Sequence, residues 1–226
     1  MKFKDLKEPD KIKISLYKEL LQNLDNTQFI IPEVFIGKAV ADMLVVNGDI
    51  HIYEIKSKND SLSRLEHQLL RYKQCANKVT LVVDEKFVTK LENSDSMDNI
   101  GIIVVDKKYK LQEIRPAVST PIEKESYFAY WSPIELRETL RGFPGWYKLS
   151  TYDASLKLEE ILTEDEVKRI TLFRLREKYI KEFLQRKELI KAKNYTQALN
   201  KRFNADMNSL SITPLKEIPY SVFRDF

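Results

Sequence analysis

The sequence predicts an α/β protein with a mixed central sheet flanked by helices, followed by a helical C-terminal region. Helical spacing of apolar residues over 10–24 precedes two β-rich runs, Ala41–Val46 and Ile50–Lys56. The dipeptide Asn47-Gly48 between these runs is a strong hairpin signal. Further strands then alternate with helices, a pattern typical of α/β folds, and the strand pattern lapses after residue 115.

Five further elements are predicted in the first region, in the order helix, strand, helix, strand and edge strand: 61–76, Val79–Asp84, 85–93, Ile100–Val105 and Lys110–Ile114. Asn59 and Asp60 are candidate N-caps for the first of these helices, with Asp60 alternatively supporting a site. The predicted domains are an α/β core over residues 1–115 and a locally basic helical region over 116–226. The helices expected in that second region cover residues 132–141, 160–192 and 194–204.

Composition excludes several classes of protein. The 226 residues are 43% hydrophobic and 32% charged, which favours a folded chain over a disordered one. The five glycines form no phosphate-binding motif, and one cysteine with two histidines cannot complete a closed zinc site. No apolar run approaches the ~20 residues of a membrane span, and the charged N-terminus lacks a secretion signal. The expected location is therefore the cytoplasm, without a membrane partner.

Positive charge is concentrated in one segment. Residues 167–202 contain 12 Lys or Arg against 3 Asp or Glu, a local excess of nine, whereas the net charge of the whole chain is only +4. Two interpretations stay open, because such a segment can be a solvated helix face or a phosphate-binding surface that releases counterions from nucleic acid.

Charged residues interrupt the two apolar strands of the predicted hairpin. Asp42 lies in the first strand, and Glu54 and Lys56 lie in the second. Burying an unpaired carboxylate is costly, so charges at these positions need a reason. Because side chains alternate along a strand, Glu54 and Lys56 point to the same face of the sheet.

The length of the hairpin loop decides whether Asp42 joins them. A two-residue turn would place Asp42 opposite Tyr53, on the other face. A three-residue loop over 47–49, with Gly48 in a left-handed conformation, would place Asp42 opposite Glu54. The two opposed carboxylates would repel each other, and a divalent cation with oxygen ligands, Mg²⁺ or Mn²⁺, would remove that cost. The alternative is a salt bridge in which Lys56 neutralises one carboxylate.

The next helix adds polar groups. Arg64, Gln68 and Tyr72 recur at four-residue spacing along one side, while leucines on another side supply the core contact. Gln68 and Tyr72 offer hydrogen-bond donors, and Arg64 offers a bidentate donor for phosphate. The alternative is that Tyr72 is a core aromatic and the other two are merely exposed.

Asp42, the Glu54-Ile55-Lys56 triplet and Gln68-x-x-x-Tyr72 together resemble the PD-(D/E)xK phosphodiesterase superfamily, which has a restriction-endonuclease-like core. The helix motif resembles the RecB and lambda-exonuclease-like branch. The resemblance covers roughly residues 10–110, and it departs from the pattern at Ala41, where the superfamily often has proline.

This resemblance implies a nuclease that hydrolyses DNA with Mg²⁺ or Mn²⁺, in DNA repair or in defence. Asp42 and Glu54 would be catalytic metal ligands, with the backbone carbonyl of Ile55 as a further ligand. Lys56 would assist water attack or stabilise the transition state, and Arg64, Gln68 and Tyr72 would bind the nucleic acid. Two candidates exist for a further acidic ligand, Glu33 and Glu19, and Glu33 is favoured.

A second hypothesis comes from another class of function. The same fold can bind nucleic acid or a partner protein without cutting, with the basic 167–202 segment as the working surface. Retention of nucleic acid in EDTA, and no cleavage when Mg²⁺ is added, would distinguish this binding module from a nuclease.

Overall fold

The computed structural model describes residues 2–25, 27–37, 39–92, 97–200 and 212–223. The chain forms two compact units. One comprises Met1–Pro121 with Ile180–Asn204, and the other comprises Ile122–Tyr179 with Ala205–Phe226. The domains predicted from sequence, 1–115 and 116–226, stay a prediction, because compactness does not test independent folding.

A six-stranded mixed sheet forms the centre of the first unit, and its strands are neighbours in chain order. The first three strands and the last pair are antiparallel, while β3, β4 and β5 are parallel. The predicted α/β fold with a mixed sheet and a helical C-terminal region is thereby confirmed. The strands are β1 Phe29–Ile36, β2 Ala39–Val46, β3 Ile50–Lys56, β4 Lys78–Asp84, β5 Gly101–Val105 and β6 Leu111–Arg115.

Seven α-helices occur in the part of the chain that the structure describes. They are α1 Glu8–Asn23, α2 Leu65–Cys75, α3 Val88–Glu92, α4 Pro133–Thr139, α5 Thr151–Ile161, α6 Glu164–Lys191 and α7 Tyr195–Ala198. None of these helices is both long and apolar enough to cross a membrane.

The hairpin between β2 and β3 has the three-residue loop. Val46 pairs with Ile50, and Met43 pairs with Tyr53. Gly48 has φ +84°, the left-handed conformation that this kind of loop requires and that glycine adopts without strain. Continuing the same register by one residue places Asp42 opposite Glu54.

Strand β1 is an element that the sequence analysis missed. The signal was present in Phe29–Ile36, a run of Phe, Ile and Val that favours a strand. Pro32 weakens that signal because proline is confined to edge strands, and β1 is indeed an edge of the sheet.

Helix α2 begins later than predicted. It starts at Leu65, with Arg64 at the cap position and no side-chain cap. The prediction that Asp60 caps this helix is wrong, because its carboxylate instead accepts hydrogen bonds from the Ser57 backbone N–H at 2.8 Å and the Ser57 hydroxyl at 2.6 Å. Asp60 thus closes the turn that follows β3.

The second unit is helical in its described residues. A capping box starts α4, in which the Ser132 side chain accepts from the Glu135 N–H and the Glu135 carboxylate accepts from the Ser132 N–H. Of the predicted helix over 160–192, α6 covers Glu164–Lys191, whereas α5 is a separate helix that the sequence analysis missed. Of the predicted helix over 194–204, α7 covers Tyr195–Ala198, and residues 201–204 lie outside the described part.

Candidate functional site

A buried polar cluster lies where β3 meets α2. Glu54 is 3% exposed, and its Oε1 accepts from the Lys56 ammonium at 2.7 Å and from the Gln68 amide at 2.8 Å. Its Oε2 accepts from the Tyr72 hydroxyl at 2.9 Å. The Lys56 ammonium also donates to Gln68 Oε1 at 2.9 Å. The strand thus supplies the ion pair, and the helix supplies two further hydrogen-bonding groups.

Asp42 joins the cluster from β2. Its Oδ2 accepts the backbone N–H of Ile55 at 2.9 Å, which ties the end of β2 to β3. Its Oδ1 lies 3.1 Å from the Lys13 ammonium, which reaches over from α1 and also pairs with Glu33. Lys13 therefore links two carboxylates on neighbouring strands to the first helix.

Glu33 occupies a strained position in β1. The pairs Pro32–Met43 and Val34–Ala41 flank it, so Glu33 faces Asp42 across the ladder. Its φ of +56° is uncommon for a residue with a side chain. Glu33, Asp42 and Glu54 consequently form a row of acids across three strands.

Burial disfavours charge in this cluster. Burial, and next the nearby charge of Asp42, raise the pKa of the Glu54 carboxyl, while Lys56 and the Tyr72 hydroxyl act in the opposite direction. Burial, with the Glu54 carboxylate beside it, also raises the pKa of the Tyr72 hydroxyl. Tyr72 therefore stays a hydrogen-bond donor, and its hydroxyl lies 2.8 Å from the Val40 carbonyl as well.

A basic groove opens beside the cluster. We call it the α2 groove and define it by Val40, Lys56, Arg64, His67, Gln68 and Arg71, with Tyr72 among its other lining residues. Its volume is about 510 Å³. Arg64 and Arg71 are exposed and lie about two helical turns apart, so their guanidinium groups flank the same groove.

The polar cluster does not fit a divalent cation as it stands. Both oxygens of Asp42 and both of Glu54 already accept from protein donors, two of which are the ammonium groups of Lys13 and Lys56. Among the described residues, no group of three or more His, Cys, Asp and Glu side chains is arranged to hold a metal ion. A metal would have to displace the lysines, so the residues present favour a cluster held together by ion pairs within the protein.

The structure brings most of the predicted site residues together. Asp42, Glu54, Lys56, Gln68 and Tyr72 share the cluster. Glu33 joins through Lys13, Ile55 contributes its backbone N–H, and Arg64 flanks the groove. The roles predicted for these residues stay predictions.

Sequence reasoning missed Lys13, His67 and Arg71. Lys13 is 9% exposed and shares a helix face with the buried Leu16 and Tyr17, so a lysine among apolar neighbours was the available signal. Arg71 follows Arg64 by seven residues, about two helical turns, and could have been found from that spacing.

The basic segment over 167–202 does not form one free surface. Arg174 is 4% exposed, and its guanidinium lies 4.3 Å from the centre of the Trp131 ring. Arg186 is 3% exposed and pairs with Glu182. Other cations of the segment pair with carboxylates, namely Arg169 with Asp165, Lys178 with Glu135 and Lys191 with Glu188. Much of the positive charge therefore serves contacts within the protein.

These features define an α/β protein in which an ion-paired polar cluster borders a basic groove. A family model described as bacteriophage P4 protein cII matches residues 1–211, and the chain therefore belongs to this family. Protein cII of Enterobacteria phage P4 is 30% identical over 108 residues, covering 46% of this chain and 40% of the relative. The match thus spans less than half the length of that curated relative.

A solved structure, the SPO1766 protein of unknown function from Silicibacter pomeroyi, is also similar to the chain. The two share 15% sequence identity with a TM-score of 0.42, over 69% of this chain and 89% of that one.

Membership of the cII family overturns the resemblance to the PD-(D/E)xK superfamily. The predictions of a nuclease, of DNA hydrolysis and of a role in repair or defence are wrong. The motif is short, and a carboxylate pair beside a lysine also serves a structural purpose. Here the ammonium groups of Lys13 and Lys56 pair with Asp42 and Glu54 within the fold. Enzymatic activity as such and the use of Mg²⁺ or Mn²⁺ stay predictions.

Proposed function

We propose that the chain binds nucleic acid, specifically DNA, without cutting it, and that the α2 groove is the binding surface. The observation that carries this proposal is the pair of guanidinium groups on Arg64 and Arg71. Both are exposed and flank one groove, beside the Lys56 ammonium. Guanidinium groups match phosphate oxygens in a bidentate geometry, so this arrangement suits a phosphate backbone.

The charge balance of the groove supports an anionic ligand. Among the residues that the structure describes, no carboxylate forms an ion pair with Arg64 or Arg71. Asp60 also lines the groove, but its Oδ2 is bound to Ser57. An incoming phosphate would therefore meet guanidinium groups that need not first leave an internal partner.

The alternative surface, the basic 167–202 segment, is less suited to the ligand. Arg174 and Arg186 are buried, and an approaching phosphate would have to compete with Trp131 and Glu182 for them. A buried ion pair is costly to break, because the partner left behind stays charged in a poorly solvated place. The proposal therefore assigns binding to the groove.

The ion pairs within the polar cluster support binding without cleavage. Metal-assisted hydrolysis needs carboxylates that are free to hold an ion and a water. Because Lys13 and Lys56 pair with Asp42 and Glu54, our proposal assigns this chain ionic and hydrogen-bonding contacts with the ligand and no cleavage step.

The test is fluorescence anisotropy with labelled DNA, in EDTA and then with added Mg²⁺. We expect binding in EDTA and intact DNA after incubation with Mg²⁺. Replacing both Arg64 and Arg71 by alanine should weaken binding by about tenfold or more, because two charge-assisted contacts are lost. It should also reduce the slope of log K against log salt by about 1.8 on duplex DNA, since each phosphate contact contributes ~0.9.

The matched control is Arg137→Ala, which removes an exposed helical arginine on α4 in the other unit. It should change affinity by less than about twofold, as expected of a surface substitution away from the ligand. Equal affinities for the double variant and the wild-type chain would refute the groove, and cleavage of the labelled strand would refute binding without cutting.

A further inference from the structure

An aromatic ring lies exposed beside the α2 groove. Phe35, on β1, is 73% exposed, which is unusual for so large an apolar side chain. Its direct partner across the β1–β2 ladder is Val40, itself 39% exposed. Two apolar side chains thus lie next to each other at the edge of the sheet.

The register places Phe35 on the face of the groove. Directly paired residues in an antiparallel ladder project to the same face, so the Phe35 and Val40 side chains share one. Val40 precedes Asp42 by two residues, and the strand alternation gives them the same face as well. Val40 lines the α2 groove, and its carbonyl accepts the Tyr72 hydroxyl. Phe35 therefore lies next to Val40 on the face of the sheet that borders the groove.

The α2 groove has room for part of a single strand. Its volume of about 510 Å³ falls within the ~300–1,000 Å³ of small-molecule pockets. A space of this size can hold a nucleotide or two of a single strand with their bases. Guanidinium groups on one wall and an aromatic ring beside the other are the two components of a single-strand binding surface, which combines a basic groove with stacking platforms.

We propose that the α2 groove binds single-stranded DNA, with the Phe35 ring stacked on an unpaired base and Arg64 and Arg71 on the neighbouring phosphates. This proposal rests on the proposed function and names its substrate. An unpaired base exposes both faces of its ring, and in a duplex those faces are covered by stacked neighbours. Stacking on Phe35 therefore selects the single strand, while the arginines act on any phosphate backbone.

The experiment measures the affinity of the full chain for a deoxythymidine oligonucleotide and for a duplex, by anisotropy in EDTA at one salt concentration. Phe35→Ala should weaken single-strand binding by about fivefold or more, since stacking contributes ~1–3 kcal/mol per base. Phe35→Trp should retain wild-type affinity, and Phe35→Leu, apolar but without a π face, should resemble Phe35→Ala. Duplex affinity should change by less than about twofold in all three.

Tyr152→Ala is the matched control, because Tyr152 is a 70% exposed aromatic residue of the other unit. It should leave both affinities unchanged. If Phe35→Ala binds the single strand like the wild-type chain while the arginine variants still lose affinity, the stacking proposal is overturned and the proposed function stands. If Phe35→Leu retains full affinity, stacking is likewise overturned. If the arginine variants bind DNA as tightly as the wild-type chain, the proposed function itself is overturned.

Discussion

Helices α2 and α6 use their positive charge in opposite ways. Helix α6 carries nine Lys and Arg residues, yet Arg174 and Arg186 are buried, and other cations pair with nearby carboxylates. Helix α2 carries few Lys and Arg residues. However, Arg71 and the cap residue Arg64 both line an open groove. The number of charges in a segment therefore does not measure the charge available to a ligand. That depends on which partners the fold brings to each cation.

The most severe test of this comparison is Arg186→Ala on α6. The Arg186 guanidinium pairs with Glu182 and donates to the backbone carbonyls of Ala198 and Asn200, the latter at 2.9 Å. Removing it leaves Glu182 charged and poorly solvated, so the free energy of unfolding should fall by about 3–5 kcal/mol. Urea denaturation measures this change.

Its matched control is the neighbouring Lys187→Ala, which should alter the free energy of unfolding by less than about 0.5 kcal/mol. A loss below about 1 kcal/mol in Arg186→Ala would mean that α6 does not use this charge for stability. The distinction between the two helices would then fail.

A smaller effect is expected at the floor of the α2 groove. Tyr72→Phe removes the hydroxyl whose single proton lies within hydrogen-bonding reach of both the Glu54 carboxylate and the Val40 carbonyl. Leaving buried acceptors with fewer donors should lower the free energy of unfolding by about 1–3 kcal/mol, measured by urea denaturation. Because the hydroxyl is directed inward, the DNA affinity of the folded variant should stay within about twofold of wild type.

Tyr152→Phe, which alters an exposed tyrosine, is the control for that measurement and should leave stability unchanged. If Tyr72→Phe instead lost as much DNA affinity as the arginine variants, Tyr72 would belong to the ligand-binding surface, as its sequence spacing predicts. The ligand-binding surface would then extend from the arginines at the rim of the groove to Tyr72 at its floor.

Local signals in the sequence predicted the parts of the site that depend on local geometry. The Asn47-Gly48 signal predicted the hairpin and offered two loop lengths, and the structure has the three-residue loop that places Asp42 opposite Glu54. Helical spacing likewise placed Gln68 and Tyr72 on one side of α2, where both contact Glu54.

Contacts between distant segments could not be predicted in this way. Lys13 reaches Asp42 across 29 residues of chain, and Lys178 reaches Glu135 across 43. No spacing rule connects such positions, since tertiary packing alone brings them together. The sequence therefore offered a register in which Asp42 and Glu54 face each other but did not predict that Lys13 pairs with Asp42, and the resulting charge pattern suggested a metal-dependent nuclease.

The smallest expected effect is a change in DNA affinity. It tests most directly whether α2 and α6 use their positive charge differently. Lys181 and Lys187 are the cations of α6 for which the described part of the chain provides no ion pair or hydrogen bond, and they lie in the same compact unit as the α2 groove. Replacing both by alanine removes as many charges as the Arg64 and Arg71 double variant. If position rather than net charge governs binding, DNA affinity measured by anisotropy should fall by less than about twofold, against about tenfold for the arginines. Equal losses in the two double variants would show that the ligand responds to the overall charge of the unit, and the groove would lose its special role.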